Sequence, residues 1–171
     1  MKLLNKKVIL ASVVCALVLS TVPALTLAQT ISKDQVVTTQ SVSLAQAQTM
    51  ARACEAKAKE IGVPMIIAIV DAGGNLVLHE RMEDALLVSV DISLKKAYSA
   101  VALKMPTDKL ATITGPGKEL YGIQHSDNKL ITFGGGFPIV VNGKIVGGIG
   151  VSGGSVAEDM AVAKAGWAVL K

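Results

Sequence analysis

The sequence predicts an α+β fold in three layers, with helices on both faces of an antiparallel sheet, and three observations carry that prediction. Residues 65–70 (MIIAIV) are apolar at every position in a short run, the pattern of a strand covered on both faces. Two turn sequences, Asp71-Ala72-Gly73-Gly74-Asn75 and Asn142-Gly143, each stand between β-type runs and so specify hairpins with antiparallel strands. Stretches with apolar residues at helical spacing, over 43–61, 89–103 and 155–170, flank the hairpins and supply the cover.

Taken in order, the chain opens MKLLNKKVILASVVCALVLSTVPALTLAQT. Lys2, Lys6 and Lys7 precede an apolar run that ends in Thr26-Leu27-Ala28, the layout of a secretory signal peptide over residues 1–28, cleaved after Ala28. The competing reading is an uncleaved anchor, because a bilayer needs about 20 apolar residues. Ser12, Ser20, Thr21, Pro23 and Thr26 interrupt the run and favour cleavage. Residues 29–42 are polar and without helical period, and read as a flexible arm. Ser43 with Gln46 forms a capping box, and Leu44, Ala47, Met50, Ala51, Cys54, Ala58 and Ile61 recur at helical spacing until Gly62 and Pro64 end the helix.

The first hairpin follows at 65–80, then a charged loop and a second helix over 89–103 carrying Leu94, Ala97, Tyr98 and Val101. Thr107-Asp108 caps a short helical turn through Leu110, and residues 118–133 read as a loop with one helical turn. Residues 134–155 (GGGFPIVVNGKIVGGIGVSGGS) hold nine glycines in twenty-two positions around the Asn142-Gly143 turn. Period-two alternation puts Ile145, Gly147, Ile149 and Val151 on one face of the second strand and Val146, Gly148 and Gly150 on the other. One face is bulky and the other nearly bare, which suits either close packing or a ligand surface. Ser155 with Glu158 is a second capping box and opens the last helix.

Composition excludes some functions. Removal of the leader takes Lys2, Lys6 and Lys7 from 17 basic residues and leaves 14 against 13 acidic, so the mature chain is close to neutral. With no basic run and one Trp, two Tyr and two Phe, nothing suggests a nucleic-acid surface. Cys54 is the single cysteine after the leader, so an internal disulfide is excluded. Residues 150–154 (GVSGG) fit the letters of a nucleophile elbow, yet no histidine follows His125 to complete a triad. No GKS or GKT follows the glycines, so they are not a P-loop.

Chemistry points first to Ser152-Gly153-Gly154-Ser155, which passes from a strand into a helix N-terminus, where free N–H groups and the helix dipole favour an anion; a capped, glycine-eased turn is the plain alternative. Lys96 lies on an apolar helical line with Ile92, Ala100 and Leu103, as either a snorkelling side chain or a buried cation awaiting an acid. Asp71 holds its own turn or pairs with such a lysine, and Asp159 suits the dipole of the last helix. His79 and His125 are too far apart in sequence to make a metal site by spacing. Each is an isolated candidate for an axial haem ligand, as are Tyr98 and Tyr121, and the absence of CxxCH excludes covalent haem attachment.

Over residues 43–171 the chain resembles the GlcG/HbpS family, whose domain also ends the PduO-type corrinoid adenosyltransferases. The resemblance rests on IAIVDAGGNLVLHERM at 67–82, SVDISLKKAYSAVAL with PT at 89–107, FGGGFPIVVNGKIVGGIGVSGG at 133–154, and the following helix with Glu158 and Asp159. It implies a profilin-like α/β/α sandwich around a five-stranded antiparallel sheet, homo-oligomers, and haem binding in several members. It also implies a pocket built from Lys96, Gly134, Gly135, Gly136, Ser152, Gly153, Gly154 and Asp159. The expectation is an exported protein, periplasmic or secreted, that binds haem or another small anion in sequestration or sensing as a homo-oligomer. A haem-degrading or small-acid-transforming enzyme with Asp71 or His79 as base, and an assembly module without ligand, are the alternatives.

Overall fold

The computed structural model describes residues 37–170. The leader at 1–28 and the greater part of the arm lie outside the described residues. The elements run α1 (Leu44–Ile61), β1 (Ile66–Asp71), β2 (Leu76–Arg81), α2 (Ser89–Ala102), α3 (Thr107–Thr114), β3 (Gly136–Val141), β4 (Lys144–Ser152) and α4 (Val156–Trp167). Single 3₁₀ turns occupy Ile123–His125 and Ala168–Leu170. No helix among the described residues is long and apolar enough to cross a membrane.

The two hairpins join into one antiparallel sheet of order β2-β1-β4-β3. Both capping boxes form: Ser43 with Gln46 opens α1, Ser155 with Glu158 opens α4, and Gly62 ends α1 at φ 71°. Helix α3 is longer than the turn expected through Leu110. It continues to Thr114 because Leu110 and Thr114 fall on one buried face, with the Thr114 hydroxyl donating to the Leu110 carbonyl at 3.0 Å.

The sheet described here has four strands, which corrects the five implied by resemblance. Of the segment just before α1, the Val42 N–H donates to the Val146 carbonyl at 2.8 Å and the side chain is buried. Ser43 is then consumed as a helix cap, so the ladder stops after that one backbone bond. Ser41 adds side-chain bonds to the Val146 carbonyl and the Ala72 N–H, so the end of the arm is fastened to the sheet.

Strand β1 is covered on both sides, as its unbroken apolar sequence predicts. Ile67, Ile69, Ile149 and Val151 face α1 and α4, which answer with the small residues Ala47, Ala51, Ala58 and Ala163. On the opposite face the sizes reverse: Ala68, Gly148 and Gly150 lie under α2. A Cβ on Gly148 would collide with the Ala97 carbonyl, one on Gly150 with the Ser93 carbonyl, and one on Gly136 with the Lys96 carbonyl. The bare face is therefore the seat of the α2 backbone, packed within the chain.

The alternation expected for β4 fails at its start. Ile139 pairs with Gly147 while Val140 pairs with Ile145, so Val146 is the extra residue of a β-bulge. The bulge turns Val146 to the α1/α4 core and Ile145 toward α2, exchanging the faces that strict period two assigns them.

Candidate functional site

Of the residues at 96, 134–136, 152–154 and 159, Lys96, Gly135, Gly136, Gly154 and Asp159 meet around a buried ion pair, whereas Gly153 packs against Pro64 and Met65. Lys96 is fully buried on the sheet-facing side of α2. Its Nζ donates to Asp159 Oδ2 at 2.5 Å and to the Val151 carbonyl at 3.0 Å, and stands 4.9 Å from the centroid of the Phe133 ring. Burial pushes the Lys96 ammonium below the ordinary lysine value, and the bond and charge of Asp159 oppose that push.

Asp159, buried in the first turn of α4, uses Oδ1 to accept the Gly154 N–H at 3.0 Å. Ser155 and Glu158 cap each other, and the bonds from the Ser155 backbone and hydroxyl hold the Glu158 carboxyl below its usual range. The Ser152 hydroxyl donates to Ser89 Oγ at 2.9 Å in a buried hydroxyl pair. Gly135, at φ 124°, leaves room for the ammonium, since a Cβ there would sit 2.6 Å from Lys96 Nζ. The Gly136 N–H donates to Thr107 Oγ1 at 2.9 Å, and Gly134 packs on Met160 and Val156. This cluster turns its donors inward, and a carboxylate arriving at Lys96 would have to displace Asp159.

An open groove lies instead along the outer side of α2. It encloses about 240 Å³ between β1, β2, α2 and the turn at 127–129, with Val70, Leu76 and Leu94 as its apolar lining and Lys95, Tyr98 and Lys129 beside them. Gly74, at φ 79°, admits the Tyr98 ring, because a Cβ there would come within 2.8 Å of it. Asp71 holds the same turn by accepting the N–H groups of Gly73 and Asn75, each at 2.8 Å. Burial pushes the Asp71 carboxyl up, but the bonds from Asn75 and Gly73 outweigh it and leave the group below its ordinary value. Its lone pairs are occupied by the turn, which disfavours a role as base.

The Tyr98 hydroxyl donates to Asp127 Oδ2 at 2.8 Å, and that bond raises the phenol above its ordinary value. Lys129 donates its N–H to Asp127 Oδ1 and places Nζ 5.2 Å from the Tyr98 ring centroid. His79 Nε2 lies 3.1 Å from Ser93 Oγ, which itself donates to the Val90 carbonyl, so the ring nitrogen takes the donor role; burial pushes the imidazole down. Ser93 and Tyr98 are five positions apart, about 7.5 Å along the helix. His125 and Tyr121 are exposed at and beside the 3₁₀ turn. No group of three or more His, Cys, Asp or Glu among the described residues is placed to hold a metal ion.

Sequence reading placed Leu94 on the apolar line of the second helix and assigned no site role to it, to Lys95 or to Lys129. A signal for part of the groove was present: Asp91, Leu94, Lys95 and Tyr98 stand at i, i+3, i+4 and i+7, one stripe of α2 of which Leu94 also packs against the Ala68 and Val70 cluster of the sheet. Lys129 carries no such signal, because a turn brings it there.

Comparison with known proteins gives consistent relatives. Residues 42–168 match the family model described as haem degrading protein HbpS-like. An uncharacterized 15.0 kDa protein of the dhaT-dhaS intergenic region of Citrobacter freundii is 46% identical over 134 residues, covering 78% of this chain and 93% of that protein. The solved PduOC:heme complex superposes with a TM-score of 0.74 at 40% identity, covering 77% of this chain and 96% of that one. A double mutant of HbpS from Streptomyces reticuli superposes with a TM-score of 0.75 at 29% identity, covering 83% and 95%.

Proposed function

The chain belongs to the HbpS-like family, and on that premise we propose that it is an exported haem-binding protein that acts as a homo-oligomer in haem sequestration or sensing. The observation that carries the reading is the haem complex of a domain 40% identical to this chain and aligned over nearly its full length. The residues present fit such a group. The groove beside α2 combines apolar side chains with an aromatic ring and two lysines, the mixture that a flat, apolar, doubly anionic macrocycle requires. Bound haem supplies iron-centred chemistry, while the protein's own residues bind, orient and cover it.

Export is supported by the leader sequence, and homo-oligomerisation by the consecutive exposed residues Leu86, Leu87 and Val88, which are 57%, 75% and 61% accessible. Hemin titration of the purified mature protein gives a saturable Soret shift on this reading, and its absence refutes it. Intact mass of the exported protein starts at Gln29, and light scattering gives a mass above that of one chain. The family description names haem degradation, and this favours one second reading. Loss of the Soret band with release of iron, on adding ascorbate in air, would extend binding to turnover.

A further inference from the structure

We propose that the α2 groove is where the carboxylate edge of the tetrapyrrole is held, with Lys95 and Lys129 meeting its two propionates and Leu76, Leu94 and Tyr98 packing against the ring. This rests on the haem-binding reading and assigns it a location apart from the Lys96–Asp159 pair.

Helix α2 has two working faces. Ser93, Lys96, Ala97 and Ala100 are buried toward the sheet, which leaves Asp91, Lys95 and Tyr98 looking over the edge strand β2, with Leu94 at the border, packed against Ala68 and Val70 and lining the groove. There it meets Leu76, which is 56% exposed even though it lies on a strand. The groove thus joins apolar surface still open to water with charge of the right sign. Among the described residues Lys95 is ion-paired only with Asp91, one turn earlier, in a direct, solvent-exposed contact at 2.7 Å that an incoming carboxylate can replace. Lys129 Nζ hangs over the Tyr98 ring, next to the place where a stacked macrocycle would lie. Asp127 is the other acid here, and both its oxygens are already in use, one by the Tyr98 hydroxyl and one by the Lys129 N–H.

At about 240 Å³ the groove is smaller than the 300–1,000 Å³ usual for whole cofactor sites, so it takes an edge of the ring and not its full outline. The Tyr98 hydroxyl, committed to Asp127, positions the ring wall and is not assigned to iron.

The test is hemin titration of wild type, Lys95→Glu, Lys129→Glu and the double variant, with far-UV circular dichroism to confirm folding. A control variant, Lys57→Glu/Lys164→Glu, changes net charge equally on α1 and α4, across the sheet. The double groove variant is expected to raise Kd at least tenfold while the control stays within twofold of wild type. Haem with both propionates esterified should bind wild type more weakly than hemin does, and the double variant should lose that preference for hemin over the diester. Wild type that fails to bind hemin overturns the haem-binding reading itself. Wild type that binds, with the groove variant within twofold of it or the control equally weakened, overturns the groove alone.

Discussion

Removing the carboxylate of Asp159 strands an ammonium in the interior, and the cost follows from the geometry. Lys96 has no exposure, and Asp159, 2.5 Å away, is its only charged partner among the described residues. In Asp159→Leu the lysine keeps the Val151 carbonyl and the Phe133 face, neither of which carries a full charge. Breaking a buried pair from one side costs about 3–5 kcal/mol, whereas replacing both partners by apolar groups of similar volume is often neutral or better. Lys96→Met alone strands the carboxylate with the Gly154 N–H, and the double variant Lys96→Met/Asp159→Leu removes both charges. Urea unfolding should show each single variant losing about 3–5 kcal/mol with unchanged m, and the double variant recovering most of it. A domain of this size then melts roughly 10–20 °C lower for each single variant. Losses below about 1 kcal/mol, or a double variant that simply sums the singles, would refute the structural role of the pair. Folded Lys96→Met should also keep the wild-type hemin isotherm, because its charge is spent inside the protein.

Other expectations concern packing and titration. Gly150→Ala drives a methyl group into the Ser93 carbonyl and the Ala97 N–H of α2, and should cost about 1–3 kcal/mol or more by urea unfolding. His79 has its folded pKa lowered by burial, so below its ordinary value near 6.5 the unfolded chain takes up the proton first. Stability is therefore present above that pH and is lost as pH falls through the window down to the folded value. His79→Gln should flatten the fall in urea midpoint as pH drops below about 6.5. Cys54 is buried and burial pushes its thiol up to about 12, so iodoacetamide at pH 8 should label it only after denaturation, as read by intact mass.

Much of the fold was legible because its signals are local. The capping boxes at Ser43 and Ser155, the Asn142-Gly143 turn and the apolar run of β1 each depend on a few neighbouring residues, and each takes its expected form. The bulge at Val146 was not legible, since a one-residue offset between β3 and β4 is set by how the strands meet and not by either strand's composition. The site was legible in part. Lys96 on an apolar line left a snorkelling side chain and a buried cation both open; its acid is Asp159, sixty-three positions later, and only a fold that lays α4 against the end of β4 brings the two together.

The glycine-rich hairpin shows where the division falls. Sequence alone determined that β4 has a bulky side and a bare side, because that follows from side-chain size and alternation. Whether the bare side met a ligand, another subunit or a helix was decided by tertiary structure: the α2 backbone occupies it, at a distance only glycine permits. The same packing commits one face of α2 to the sheet and frees its opposite stripe, which meets β2 and the turn at 127–129 to make the groove. Propensity and pattern act over a few residues, whereas a cavity is the space left between elements far apart in the chain.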